Sequence, residues 1–517
     1  MTIVIQPRTS VSIVPASVAV ENAAQKILFV GQKFEVGSTA VSGALVQNIG
    51  SDGAEDALFG QGSMLAGMIK AARRLNKATW IDAIPLSDAA GGAQATGSIT
   101  ITGTATAAGT LTVSVGSELR HTYSIAVASG DTATVIASNI KTAINDDLDL
   151  PVEAAESLGV VTLTAAHKGT LGNDIGVAVS GTVAGITHSA AAMSGGATDP
   201  TLTGVFNVVG NNRYQTIVWP YASATTEVRS FLDARWNVDN RVLDGVAITA
   251  RHDSIANHLS VLGALNSQSL VYFADKTTSE TSYKGAAQLE MSPVKSAQFA
   301  AIRGLRLTDG ASISRFVITT NGPLDSFGGP ALASKPYFNT SMPDLPLIAV
   351  GRGWTDTEIE QLFDAGGSVI GVNSAGNAAI AGEIVTTYKT DSAANPDISF
   401  KFLNYVDTAS NSREYFFNNL KARFAQSRLT TGDVLKGRDM ANDLVIKAFC
   451  EKLYQDLSGV DFVLLQSGED ALKFFKDNLS VALDLANGKA TIQMTAPLVT
   501  QLREIVATLK IAFSTEG

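Results

Sequence analysis

Asp88-Ala-Ala-Gly-Gly92 opens, and Met193-Ser-Gly-Gly196 closes, a segment unlike the rest of the chain. Gly-rich joints of this kind bound inserted domains. Residues 93–199 hold a single aromatic, Tyr123, and three basic residues, Arg120, Lys141 and Lys168, against nine acidic ones, a net charge of −6. The period-two runs Ser98-Ile-Thr-Ile-Thr102 and Thr110-Leu-Thr-Val-Ser-Val115, then Val160 to Ala165 and Ile175 to Val179, predict strands with one wet face. Ala133, Ile136, Ala137, Ile140 and Ile144 recur at helical spacing before Asn145, with Asp131 as the expected cap. A small Thr- and Gly-rich β-domain with one helix, acidic outside, is expected as a solvent-facing decoration.

Outward from this insert the pattern on both sides is α/β. Ile27-Leu-Phe-Val-Gly31 and Thr216-Ile-Val-Trp-Pro220 are short apolar runs, each followed by a helix-compatible stretch, Ser63 to Leu75 and Thr226 to Trp236. Further strands are expected at Gly245 to Thr249, Ser269 to Phe273 and Leu345 to Val350. Thr355-Asp-Thr-Glu358 reads as a capping box, and Gly366-Gly367 ends its helix. The expected fold class is thus α/β, or α+β over the whole multidomain chain. A core of residues 21–92 and 200–406 closes around the insert at 93–199.

From Asp407 the pattern turns helical, over Glu414 to Arg428, Asp439 to Leu457, and Ala471 to Asn478, the last capped by Ser467-Gly-Glu-Asp470. Val481-Ala-Leu-Asp-Leu-Ala486 and Lys489-Ala-Thr-Ile-Gln-Met494 then alternate on either side of Asn487-Gly488, the dipeptide of a type I′ turn. Residues 407–503 therefore form a helix-plus-hairpin domain. An isolated hairpin is marginal in water and both its edges offer unpaired backbone groups, so Val481, Leu483, Leu485, Thr491, Ile492 and Met494, with the Asn487-Gly488 turn, are expected to accept further strands. Two donors are available: the arm at 1–20, with Thr2, Ile3, Val4 and Ile5, and the arm at 504–517, where Leu509, Ile511 and Phe513 alternate. The first is apolar, lacks a helical period and carries two prolines, as a strand that pairs with another chain would. The alternatives are that both ends fold back on their own chain, and that Leu498, Leu502, Ile505, Val506 and Leu509 form a helix.

Composition removes several function classes. The chain has 517 residues, room for about three or four domains, and its 45% apolar and 17% charged residues with a mean hydropathy of +0.16 exclude a disordered polymer. A net charge of −10 disfavours direct binding to nucleic acid. The single cysteine, Cys450, rules out a disulfide framework and sits among Val445, Ile446, Phe449 and Leu453 as a buried thiol would. Neither a secretion signal nor a membrane span is expected. Phe59 to Gly67 and Gly351-Arg-Gly-Trp354 lack the spacing of a phosphate-binding loop, and the five histidines, including His252 and His258, are dispersed. No catalytic residue, metal or cofactor is assigned.

The order and spacing of several motifs resemble the contractile tail sheath proteins of bacteriophages, in their Mu-like branch. They are Lys26-Ile-Leu-Phe-Val-Gly-Gln32, Ala57-Leu-Phe-Gly-Gln-Gly-Ser-Met-Leu-Ala66, Trp80 to Pro85, Ala166-His-Lys-Gly-Thr-Leu-Gly-Asn-Asp-Ile175, Ile384-Val-Thr-Thr-Tyr388 and the Ala-Pro-Leu-Val run from Ala496. The resemblance spans nearly the whole chain. It implies a non-enzymatic subunit of a phage tail, in the virion and assembled in the bacterial cytoplasm, that polymerises helically with itself around a tail tube protein. Baseplate and tail terminator proteins are the further implied partners, with no nucleic acid bound and no membrane inserted. On a baseplate signal such a lattice shortens and drives the tube through the host envelope. It also implies that the C-terminal domain lies beside the tube and that the arms add strands to sheets of neighbouring subunits. Arg413, Lys421, Arg423 and Arg428 stand against Glu414 alone in their segment and are expected to face an acidic tube surface; a solvated helix face is the alternative. A static self-assembling shell or adhesive protein using the same strand exchange is the competing function.

Overall fold

The computed structural model describes residues 25–50, 52–236, 241–312, 337, 340–349, 351–373, 375–434, 439–459 and 465–499. Both expected arms, with Thr2, Ile3, Val4, Ile5, Leu509, Ile511 and Phe513, lie outside the described residues.

The apolar runs of the core become parallel strands in the order Trp80–Leu86, Lys26–Gln32, Thr216–Val218, Val246–Asp253, Leu270–Glu280. Strands covered on both faces need no polar alternation. Ile27 and Phe29 point into one apolar layer, shared with the helices Met64–Leu75 and Ser292–Ser312. Leu28 and Val30 point into the opposite layer, shared with Thr226–Asp233, Ile255–Gly263 and Asp356–Asp364. Local signals hold where side chains close their own turns: Ser63 accepts from the Ala66 amide, and Thr355 and Glu358 form both bonds of a capping box. The run from Leu345 differs from expectation. Its described residues carry no strand.

Residues 93–199 form two layers around an apolar core of their own. One layer is a four-stranded sheet in the order Val152–Ser157, Val160–Lys168, Gln94–Gly103, Ile186–Ser194. The other contains Thr122–Val127, Gly109–Val115 and Val177–Ser180. This second layer does not end at the insert. Val177–Ser180 pairs with Tyr283–Ala286, which pairs in turn with Leu270–Glu280, so one nine-stranded sheet runs from the core into the insert. Glycines permit the contact, since a Cβ on Gly285 would lie 2.6 Å from the Gly176 Cα. The helix Ala133–Asn145 is capped by the Thr132 hydroxyl rather than by Asp131, whose carboxylate instead accepts from the Ala128 amide at 2.7 Å.

The C-terminal unit comprises the helices Leu403–Phe424, Asp443–Ser458 and Glu469–Asp477 and the hairpin Ser480–Asp484 with Lys489–Gln493. The first helix ends before Arg428, which instead begins the short strand Arg428–Leu429 beside Met440–Ala441. Gly468 stands at the N-cap of the third, so Ser467 does not cap it.

Candidate functional site

The hairpin rests one face on an apolar cluster formed by the surrounding helices. Phe475 stacks on Tyr454 at 4.4 Å between ring centroids, and Tyr454 donates its hydroxyl to the Gln466 carbonyl at 2.7 Å. Cys450 lies inside the same cluster, its thiol pushed up to about 11 by burial and the neighbouring Glu451. Alternation orients the strands: Val481, Leu483, Ala490, Ile492 and Met494 are half-buried against this cluster, whereas Ala482, Asp484, Thr491 and Gln493 face solvent. Among the described residues the sheet has two strands only, registered Val481 with Ile492 and Leu483 with Ala490. Neither outer edge has a strand partner there.

The turn differs from the type I′ expectation. Asp484 pairs with Lys489, leaving a four-residue loop of Leu485, Ala486, Asn487 and Gly488, and only Gly488, at φ +62°, is left-handed. The cause is Asp484: its carboxylate accepts from the Asn487 amide at 3.1 Å and from Asn487 Nδ2 at 2.7 Å, fixing an Asx-type turn. Asn487 thereby holds the Asp484 carboxyl below the usual carboxylate range. Leu485 belongs to the loop, exposed, and not to the strand expected to carry it.

The four expected basic residues separate. Lys421 and Arg423, on the last turn of the helix Leu403–Phe424, are exposed around a shallow groove that also includes Asn418, Gln426 and Asp439, and Arg428 beyond the helix is exposed as well. Arg413 is a correction: its guanidinium pairs with the buried Asp244 of the core and with the Arg241 carbonyl, so it belongs to the inward side of the helix. Arg213 pairs with Glu414 at 2.7 Å, Ser410 bonds Asp244 at 3.1 Å, and Asp407 receives Arg303 at 2.5 Å and the Tyr337 hydroxyl at 3.1 Å. Asp407, Ser410, Arg413 and Glu414 thus line one face at spacings of three and four. That spacing is visible in the sequence and was the missed signal that this helix is rooted in the core.

The histidines set aside as metal ligands have other occupations. His258 is buried, with Nδ1 3.0 Å from the Tyr272 hydroxyl and Nε2 2.9 Å from the Asp275 carbonyl, while His252 lies 3.6 Å from Asp174. Among the described residues no group of three His, Cys, Asp or Glu is placed to hold a metal ion, and no helix is long and apolar enough to cross a membrane.

No family model matches the chain. It is similar to the Mu-like prophage FluMu tail sheath protein of Haemophilus influenzae, with 27% identity over 414 residues, covering 79% of this chain and 77% of that protein. Among solved structures it aligns with a sheath tail protein of Listeria innocua at TM-score 0.46 and 12% identity, over 93% of this chain and 94% of that one. It also aligns with the contracted helical sheath of the anti-feeding prophage at TM-score 0.45 and 11% identity, over 99% of each. By sequence the chain is therefore a relative of a Mu-like tail sheath protein along about four-fifths of its length.

Proposed function

We propose that this protein is the repeating subunit of a contractile phage tail sheath, a structural component of the virion tail that polymerises helically with itself. The sequence similarity to a Mu-like tail sheath protein carries this reading. The two-stranded hairpin, whose edges have no strand partner among the described residues, supports strand exchange as the means of assembly, because main-chain hydrogen bonds at a sheet edge join chains without requiring a particular side chain. In this reading the arms at 1–20 and 504–517 donate the missing strands through Thr2 to Ile5 and through Leu509, Ile511 and Phe513, and the hairpin accepts them. Lys421, Arg423 and Arg428 face the tail tube, and baseplate and terminator proteins bound the polymer at its ends. Assembly takes place in the host bacterial cytoplasm. The residues 93–199, acidic and poor in aromatics, lie at the outer radius. The chain's role is mechanical and not catalytic, with the work of contraction drawn from subunit contacts that improve when the lattice shortens.

Electron micrographs of the purified protein test the reading: long tubes of wide bore are expected, and sheets or small closed oligomers would count against it. Removal of Met1 to Pro7 is expected to leave a folded monomer that no longer polymerises. A truncated chain that polymerises like the parent would overturn the role of the arm.

A further inference from the structure

The motif Ala166–Ile175 has no part in the assembly reading, yet it sits where the insert meets the core. Two carboxylates, one at each crossover joint, converge on it. Asp88, before the first joint, accepts from His167 Nδ1 at 2.9 Å, from the Lys168 amide at 2.9 Å and from Gln32 Nε2 at 2.6 Å. Asp199, the last residue of the insert where the chain returns to the core, accepts from the Thr170 amide at 2.7 Å and from its hydroxyl at 2.9 Å and 2.8 Å. The other ring nitrogen of His167 accepts from the Met64 amide at 3.1 Å, the first residue of the helix Met64–Leu75, and the ring stacks on Phe34 at 4.7 Å. Since the Met64 amide can only donate, Nδ1 carries the ring proton and donates to Asp88.

Other contacts join the insert to the core along the same seam. Polar pairs cross it, namely Arg120 with Glu290 and with Asp344, Lys70 with Asp149 at 2.7 Å, and His252 with Asp174. Beside them lies a cleft lined by Met64, Pro151, Leu171, Ile175 and Met291 among others. The sheet continuity across it is two residue pairs, Tyr283 with Ala178 and Lys284 with Val177, flanked by backbone bonds from Val179 to Ser282, Ala190 to Thr281 and Glu118 to Leu289. Interfaces between domains that are polar and partly open permit relative motion unless something fixes them.

We propose that His167-Lys-Gly-Thr170 is a latch that fixes the insert's orientation on the core by binding the carboxylates of both joints, Asp88 and Asp199. Each carboxylate accepts backbone amides, and charge-assisted bonds of this kind are the stronger ones in a protein. Releasing either joint leaves the insert folded around its own core, so orientation is lost before structure.

Hydrogen–deuterium exchange on the full chain tests this directly, because the Lys168 and Thr170 amides are themselves latch bonds. In D88A and D199A, exchange over 166–175 is expected to rise by on the order of tenfold, the loss of one charge-assisted hydrogen bond. The helix Ala133–Asn145 should exchange as in the parent. Small-angle scattering of the double variant should show a broader distribution of interatomic distances than the parent. D199A alters the more exposed of the two joints and decides the matter if D88A fails to fold. Parental exchange over 166–175 in D199A, or equal loss of protection in the insert helix and the latch, would overturn the proposal.

Discussion

Two sheet edges of this molecule meet opposite fates. The strand Trp80–Leu86 ends the nine-stranded sheet, and the chain's own loop covers it: Gly43 donates to the Pro85 carbonyl at 2.7 Å, Val46 and Ala83 exchange bonds at 2.8 Å, and Ile49 donates to Ile81 at 3.0 Å. The hairpin Ser480–Gln493 has no such cover among the described residues. Edges are hazards that folds close off, and the proposed strand exchange would close this one. The difference teaches that, among the described residues, the C-terminal hairpin lacks the cover that the chain's own loop gives to Trp80–Leu86.

Phe475→Ala breaks the comparison most severely, because Phe475 lies buried in the cluster on which the hairpin's apolar face packs. It is expected to cost about 3–5 kcal/mol, as large-to-small changes of buried aromatics do, and to unfold the C-terminal unit in denaturant before the core. Val46→Pro should make the covered edge resemble the bare one, removing a donor from Ala83 for about 1–3 kcal/mol. Its expected signature is concentration-dependent aggregation of a chain still folded by circular dichroism. Asp484→Ala sharpens the contrast at the loop: hydrogen exchange of the hairpin amides should quicken while the core stays protected. The sign with pH follows from the lowered carboxyl. The support Asp484 gives is present above the ordinary carboxylate range and lost as pH falls through the lowered value, a dependence the variant should lack. Smallest of all, Lys421→Glu with Arg423→Glu should change stability by no more than about 0.5 kcal/mol while abolishing co-sedimentation with tail tubes. Unaltered co-sedimentation would send both residues back to the solvated face.

Much of the core was legible because its strands are near-continuous apolar runs and its helices carry their caps in adjacent residues, as at Ser63 and Thr355. What failed depended on competition or on distance. Asp131 and Thr132 both could cap, and Asp131 was claimed by the Ala128 amide. Asn487-Gly488 has the composition of a tight turn, but Asp484 captured Asn487 and lengthened it. The continuation of the core sheet into the insert runs through Tyr283–Ala286, four residues with no alternation, pairing with residues about a hundred positions earlier. No local pattern encodes such a pairing. Arg413 was misjudged for a related reason, since its partner Asp244 is remote in sequence, and a count of charges along a helix does not say which face they take.

The helix Leu403–Phe424 has its first half buried in the core and its last turns in the C-terminal unit. Its 22 residues span about 33 Å, which makes it a lever with a fixed fulcrum. A tilt of about a tenth of a radian at the Asp407 end sweeps the Phe424 end through roughly 3 Å, close to the spacing of one residue along a strand. Slight repacking around the Arg303–Asp407 pair would be magnified along such a lever at its far end.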